Sequence, residues 1–174
     1  VPILNNGVDP PQFWSALNPS TKLVALTNWP GSTTAAVIRA FGPYLFALNL
    51  TESGTSRPHV VRWSHPADPG TVPASWDYTD ATKDAGRTEL ADVQAGIILD
   101  GLGLGSNFYI YKEGSTWRVT LIGGNDIFDF KVFLETSGIL APRCVTLTGD
   151  GLRHVVATKD DLIVHDGTRF DSIL

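Results

Sequence analysis

The sequence predicts an all-β chain made of antiparallel four-stranded meanders, and three observations carry that prediction. Seventeen Gly and eleven Pro among 174 residues leave few windows long enough for a helix. Between them stand short runs rich in Val, Ile, Phe, Tyr and Thr, residues that fit a pleated, half-buried surface. The runs also recur: 108–111 and 154–157 both read as second strands of such a group, and residues 108 and 154 are 46 positions apart. A period of roughly 40–50 residues with four strands is that of a β-propeller blade, so a partial propeller of about three blades is expected. Evenly spaced hairpins also occur in a β-sandwich, which is the alternative.

Residues 1–34 are expected to be an extended, loop-like segment. Asn5-Asn6-Gly7, Asp9-Pro10-Pro11, Asn18-Pro19 and Trp29-Pro30-Gly31 punctuate it with turn chemistry, leaving room for one short strand over 23–27. From residue 35 to 174 a propeller-like domain is expected. Strands over 37–41, 44–50 and 59–64 form its first meander, with turns at Gly42-Pro43 and over 51–56. Residues 65–95 then read as a long irregular insertion, because Pro66, Pro69 and Pro73 interrupt pairing and 77–92 is polar, with room for a short helix within 80–92. Strands over 97–100, 107–111, 116–122 and 128–133 follow, the central hairpin turning at Lys112-Glu113-Gly114-Ser115. The last group is 144–148, 152–158, 161–165 and 169–173, with turns at Gly149-Asp150-Gly151, Lys159-Asp160 and Asp166-Gly167-Thr168.

Closed propellers have 4–8 blades. Three would leave two flanks open, to be closed by further chain or by another subunit. The chain begins at Val1 and contains no Met, as expected of a processed chain or of an interior portion of a longer one.

The charge balance disfavours one class of partner. Thirteen Lys and Arg against eighteen Asp and Glu give a net charge of −5, with no basic run, whereas gripping phosphates needs clustered cations. A single cysteine, Cys144, excludes an internal disulfide framework and reads as a small buried hydrophobe. No apolar run approaches the ~18 residues of a membrane helix, so no membrane insertion is expected.

Catalytic and ligand-binding patterns read as structure throughout. The histidines (His59, His65, His154, His165) accompany no Gly-x-Ser-x-Gly elbow, and His165-Asp166-Gly167 reads as a strand running into an Asp-Gly turn. There is no His-Glu-x-x-His, no Cys pair and no twelve-residue calcium loop, so neither metal nor cofactor is expected. Asn125-Asp126 and Asp160-Asp161 read as turn residues. The cluster Gly101-Leu102-Gly103-Leu104-Gly105 lacks the helix that a dinucleotide fingerprint requires after it. Asn49-Leu50-Thr51 matches a glycosylation sequon but falls in a strand. The tryptophans (Trp14, Trp29, Trp63, Trp76, Trp117) read as packing groups, with sugar stacking the alternative.

The most distinctive stretch is Val60-Val61-Arg62-Trp63-Ser64-His65-Pro66-Ala67-Asp68-Pro69-Gly70-Thr71-Val72-Pro73-Ala74-Ser75-Trp76-Asp77, followed by Asp80-Ala81-Thr82-Lys83-Asp84-Ala85-Gly86. With Asn6-Gly7-Val8-Asp9-Pro10-Pro11-Gln12, Tyr109-Ile110-Tyr111-Lys112-Glu113 and Ser137-Gly138-Ile139-Leu140, it resembles the tail-nozzle or head-completion (stabilisation) proteins of short-tailed bacteriophages. That resemblance spans most of the chain. It implies a propeller-containing virion protein, made in the host cytoplasm and repeated as a ring around the tail axis beside portal-associated adaptor proteins. DNA would pass nearby without specific binding, which an acidic wall favours. It carries no catalytic residues, so the expected protein is structural and not an enzyme.

Trp63, His65, Pro66, Trp76 and Asp77, in the long insertion, are the expected contact between subunits, since exposed loop aromatics suit a hot spot. Two other readings stand beside this one. A glycan-binding tail adhesin would use Trp and Tyr on one propeller face. A propeller glycosidase would need two carboxylates ~5–10 Å apart, for which Asp126 and Asp129 are the nearest pair.

Overall fold

The structure, a computed structural model, describes residues 1–15 and 20–174; the expected Asn18-Pro19 turn lies outside the described residues. It is all-β: the described residues form fifteen strands in four antiparallel sheets and a single 3₁₀ turn, Val93–Ala95. Two compact units divide the chain, Val1–Ala91 and Asp92–Leu174.

The first unit holds two sheets. Strands β1 (Ile3–Leu4), β2 (Gln12–Phe13) and β3 (Val24–Ala25) pair in chain order as a small three-stranded sheet, so the turn-rich start contributes three two-residue strands instead of one longer one. The second sheet is a four-stranded meander of β4 (Thr33–Phe41), β5 (Tyr44–Glu52), β6 (Thr55–Trp63) and β7 (Gly86–Glu89). Ser53 and Gly54, with φ of 49° and 77°, turn the β5–β6 hairpin. Two successive positive φ values match the right-handed strand twist, so the turn tightens to two residues and lets β6 start at Thr55.

Strand β7 lies inside the stretch read as an irregular insertion. Gly-Arg-Thr-Glu has neither alternation nor β-branched density, so it carries no strand signal of its own; it becomes a strand because β6 offers Val60–Trp63 as a free edge. Residues 80–92 form no helix, and the nearest helical turn, Val93–Ala95, follows them. The core of this unit gathers Leu26, Ala35, Ala47, Leu50, Val60 and Trp76, with Ile3, Phe13 and Trp29 packed against it. Asn49 takes φ 54° at a bulge where the β5–β6 register shifts, and the break in alternation brings Leu50 into the same core as Ala47, three positions before it.

The second unit is two four-stranded meanders. Strands β8 (Ile98–Leu104), β9 (Asn107–Lys112), β10 (Thr116–Leu121) and β11 (Phe128–Leu134) form one. Strands β12 (Val145–Leu147), β13 (His154–Ala157), β14 (Leu162–His165) and β15 (Phe170–Ser172) form the other. All eight match expected segments to within a few residues. The first runs further than expected, through Gly101-Leu102-Gly103-Leu104, before a turn at Gly105-Ser106 leads into another strand. Both sheets feed one core: Leu104, Tyr109, Tyr111 and Leu134 from the first, Val156 and Ile163 from the second, with Ile139 from the connection between them.

A side chain at Gly86 would overlap the Trp63 indole, which lies against β7. Gly86→Ala is therefore expected to cost about 1–3 kcal/mol by overpacking. Gly31→Ala, with nothing within 4 Å of the added carbon, is expected to stay within about 0.5 kcal/mol. Urea midpoints followed by tryptophan fluorescence check both, and equal midpoints would show that the indole has room to move.

Candidate functional site

The loop between β6 and β7 carries four of the residues expected at a subunit contact, Trp63 being the last residue of β6, and internal bonds hold it in place. Arg62, at the end of β6, turns its guanidinium under the loop: Nε and Nη2 donate to the Trp76 carbonyl at 3.1 and 2.5 Å. Glu52 lies 3.7 Å from the same guanidinium and takes a two-point ion pair from Arg87 at 2.8 and 3.3 Å. Those Arg87 bonds, more than burial, hold the Glu52 carboxyl below its ordinary range. Arg62 and Arg87 are directly paired across β6 and β7. Two like charges in that position repel, and Glu52 between them offsets the repulsion.

Trp63 and Trp76 are interior groups, contrary to the expectation of an exposed aromatic loop. Trp63 stacks on Phe46 (centroids 6.3 Å, 28°), and its Nε1–H donates to the Asp84 carbonyl at 2.9 Å. Trp76 is 1% exposed and meets Trp29 edge-on at 4.8 Å. The physical reason is that one sheet face of this unit needs a cover, and the loop's large apolar side chains supply it. His65 is half-buried, its Nδ1 accepting the Asp84 N–H at 3.1 Å, and Pro66 is half-buried beside it.

Asp77 alone of the five is exposed. Its Oδ1 accepts from the Thr79 hydroxyl at 2.6 Å and the Thr79 N–H at 2.9 Å, and these bonds lower its pKa. Asp80 does the same with Thr82, at 2.7 and 2.9 Å. Between the two acids stands Tyr78, 50% exposed, its ring 5.0 Å from the Arg62 guanidinium. Tyr78 is thus the aromatic side chain this loop presents. The tandem Asp-x-Thr spacing at 77–79 and 80–82 is a local turn signal that could have pointed to it.

A second polar cluster sits at the start of the second unit. Lys112 has a fully buried side chain, and its Nζ donates to both the carbonyl and Oδ1 of Asp92, each at 2.6 Å. Ser115 Oγ and Trp117 Nε1 donate to Asp92 Oδ2 at 2.5 and 2.9 Å. Burial pushes the Asp92 carboxyl upward, but the bonds from Lys112, Ser115 and Trp117 outweigh it and hold the group below the carboxylate range.

The third is a buried aromatic–imidazole cluster. Tyr111 of β9 places its hydroxyl 2.7 Å from His154 Nδ1 and 2.7 Å from His165 Nε2, and His154 Nε2 lies 3.0 Å from the Gly103 carbonyl. His154 and His165 face each other across β13 and β14 with ring centroids 5.1 Å apart. Sequence reading placed these histidines on strands but did not join them to Tyr111, which is 43 and 54 positions away.

The other sequence-derived candidates sit apart from these clusters. Asp126 is in the exposed β10–β11 loop, and Asp129 pairs with Lys131 at 2.7 Å on an outward position of β11. Asp166 accepts the Thr168 and Arg169 N–H groups at 2.7 and 2.8 Å and so shapes its turn. Trp14, Trp29, Trp63 and Trp117 each donate Nε1–H to an oxygen of their own unit. Cys144 is half-buried and free. Among the described residues no group of three His, Cys, Asp or Glu could hold a metal ion, and no helix is long and apolar enough to cross a membrane.

No protein-family model matches this chain, and comparison with curated proteins finds no match.

Asp92→Asn leaves the buried Lys112 ammonium without its counter-charge, so a loss of about 3 kcal/mol in urea unfolding at pH 7 is expected. Because the folded carboxyl titrates below the ordinary value of 3.8, its stabilisation is complete above that pH and disappears as pH falls through the folded value. The variant should accordingly lose this acid dependence, and a wild-type midpoint at pH 7 would show that the pair contributes nothing.

Proposed function

We propose that this chain is part of a structural component of a bacteriophage tail, a nozzle or head-completion subunit, and that its meanders are blades of a β-propeller. The observation that carries the reading is the succession β4–β7, β8–β11 and β12–β15: three four-stranded antiparallel sheets in strict chain order, with no crossover. Such repeats suit blades that complete one another's cores. The likeness of residues 60–77 and 80–86 to tail-nozzle proteins gives the reading its biological content. In this role the protein works by assembly, as copies in a ring beside portal-associated proteins in the virion, and performs no chemistry. Its net charge of −5 suits a wall past which DNA slides without being held.

Within this reading the 64–85 loop meets a neighbouring subunit through Asp77 and Tyr78, while Trp63, His65, Pro66 and Trp76 form the framework beneath. Tyr78→Ala removes an exposed ring and one cation–π contact, at a folding cost of about 0.5–1 kcal/mol. It should lower the number of copies incorporated per virion while thermal unfolding of the isolated protein stays nearly unchanged.

Quantitative mass spectrometry of purified virions, scaled to the portal protein, tests the whole proposal. A copy number comparable to the portal ring supports a nozzle. A low number in multiples of three would instead indicate a host-binding spike, and absence from virions would sink the structural reading.

A further inference from the structure

We infer that Tyr111, His154 and His165 form a proton-gated latch between the two sheets of the second unit, closed while both imidazoles are neutral and opened when either takes a proton from solvent. This inference rests on the unit's own geometry and is independent of the tail proposal.

The direction of every bond in the cluster follows from what each atom can do. A carbonyl only accepts, so His154 Nε2 carries a proton and donates to Gly103 on β8 at 3.0 Å. Neutral His154 then has a bare Nδ1, which accepts the Tyr111 O–H at 2.7 Å. The Tyr111 oxygen in turn accepts from His165 Nε2–H at 2.7 Å. The result is one chain of donors running from β14 to β9, back to β13 and on to β8. It ties the sheet of β12–β15 to the sheet of β8–β11 at two places.

This chain has no room for an added proton. His165 is 1% exposed and His154 is 0% exposed. His165 Nδ1, where its second proton would go, is buried with no hydrogen-bond partner. On His154 the second proton would go to Nδ1, against the Tyr111 O–H. The phenol would have to turn away, leaving its own proton without an acceptor. Either event puts an unpaired charge or donor in the core, which is costly.

The charged and titratable groups around the cluster do not relieve that cost. On β8, Asp100 spends its oxygens on the Gly101 and Arg143 N–H groups at 2.7 and 2.8 Å. On β9, Tyr109 lies 5.0 Å from the His165 ring, and Arg118 of β10 acts on that phenol. On β11, the neighbour of His165 is Phe133, at 5.1 Å. Cys144, just before β12, packs against the same core. In the β14–β15 turn, Asp166 favours a charged His165 but is exposed and committed to the Thr168 and Arg169 amides. Burial dominates: it lowers His154, and with repulsion from His154 it brings His165 down to about 4. Burial also raises Tyr111 well above the phenol range, so the bridging hydroxyl keeps its proton at any ordinary pH.

The sign of the effect follows. The unfolded chain protonates its histidines near 6.5, whereas folded His165 resists down to about 4. Stability from the neutral latch is complete above about 6.5 and drains away between there and about 4. Over pH 7.5 to 4.5, His165 alone multiplies the opening equilibrium roughly 70-fold. Because both rings are buried, the proton enters through brief local openings.

Amide hydrogen exchange of the full chain, corrected for intrinsic rates, tests this directly. Protection of β13 and β14 amides is expected to fall roughly 70-fold from pH 7.5 to 4.5. His165→Phe keeps an aromatic ring but cannot take a proton, and should remove the His165 share of that fall, leaving only what His154 contributes. Imidazole ¹⁵N spectra of the unaltered protein give a check that needs no variant: both histidines as Nε2–H tautomers at pH 7, with His165 still neutral at pH 5. Protection that is independent of pH, or a His165 signal titrating near 6.5, overturns the latch.

Discussion

A four-stranded meander with strands only three to nine residues long cannot bury enough surface by itself, and the way each unit covers its sheets organises everything else. The first unit has one such meander and covers it with non-repetitive chain. Trp76 arrives from a loop, Leu26 and Trp29 from the N-terminal segment, and together they close over Ala35, Ala47, Leu50 and Val60. The second unit has two meanders and lets them cover each other through Tyr109, Tyr111, Val156 and Ile163. Loop 64–85 is therefore part of a core, and its course is set by the need to bring one indole back over the sheet.

Covering a sheet with loops and short strands brings polar backbone into the interior, and three long side chains answer it. Arg62 satisfies the Trp76 carbonyl, Lys112 the Asp92 carbonyl and His154 the Gly103 carbonyl. Each also meets a second group that fixes its direction: Glu52, the Asp92 carboxylate and Tyr111, respectively. Buried ions and imidazoles contribute modestly to net stability, because desolvation consumes most of the attraction. Their effect is to select one arrangement of loop on strand, since any other leaves a charge or carbonyl unpaired.

The same economy explains where surface remains for a partner. The indoles are committed within their own units, four of them by hydrogen bonds as well as packing. What the long loop turns outward is Tyr78 between two Asx-type turns. An anchored aromatic on a braced loop loses little freedom on docking, which suits the subunit contact proposed for it.

Most strands were legible because they carry their own signal. Tyr44–Glu52, Asn107–Lys112 and Thr116–Leu121 are dense in aromatic and β-branched residues and are bounded by Gly, Pro or Asp turns, so the all-β class and the meander order follow from local chemistry. The misread elements lack such a signal. Gly86–Glu89 is a strand only because β6 has an unpaired edge, and the N-terminal pairs are too short to show periodicity. The interior Trp63 and Trp76 read as contact residues because a polar, proline-broken context suggests exposure, whereas their burial depends on where the chain returns. The Tyr111–His154–His165 cluster was equally invisible, joining residues from two sheets. Sequence by itself determined the strand class, the order of the meanders and the turns, all set by forces acting within about ten residues. Tertiary structure decided which side chains are inside, which strand completes the first meander and which polar groups meet, because those outcomes depend on contacts between segments tens of residues apart.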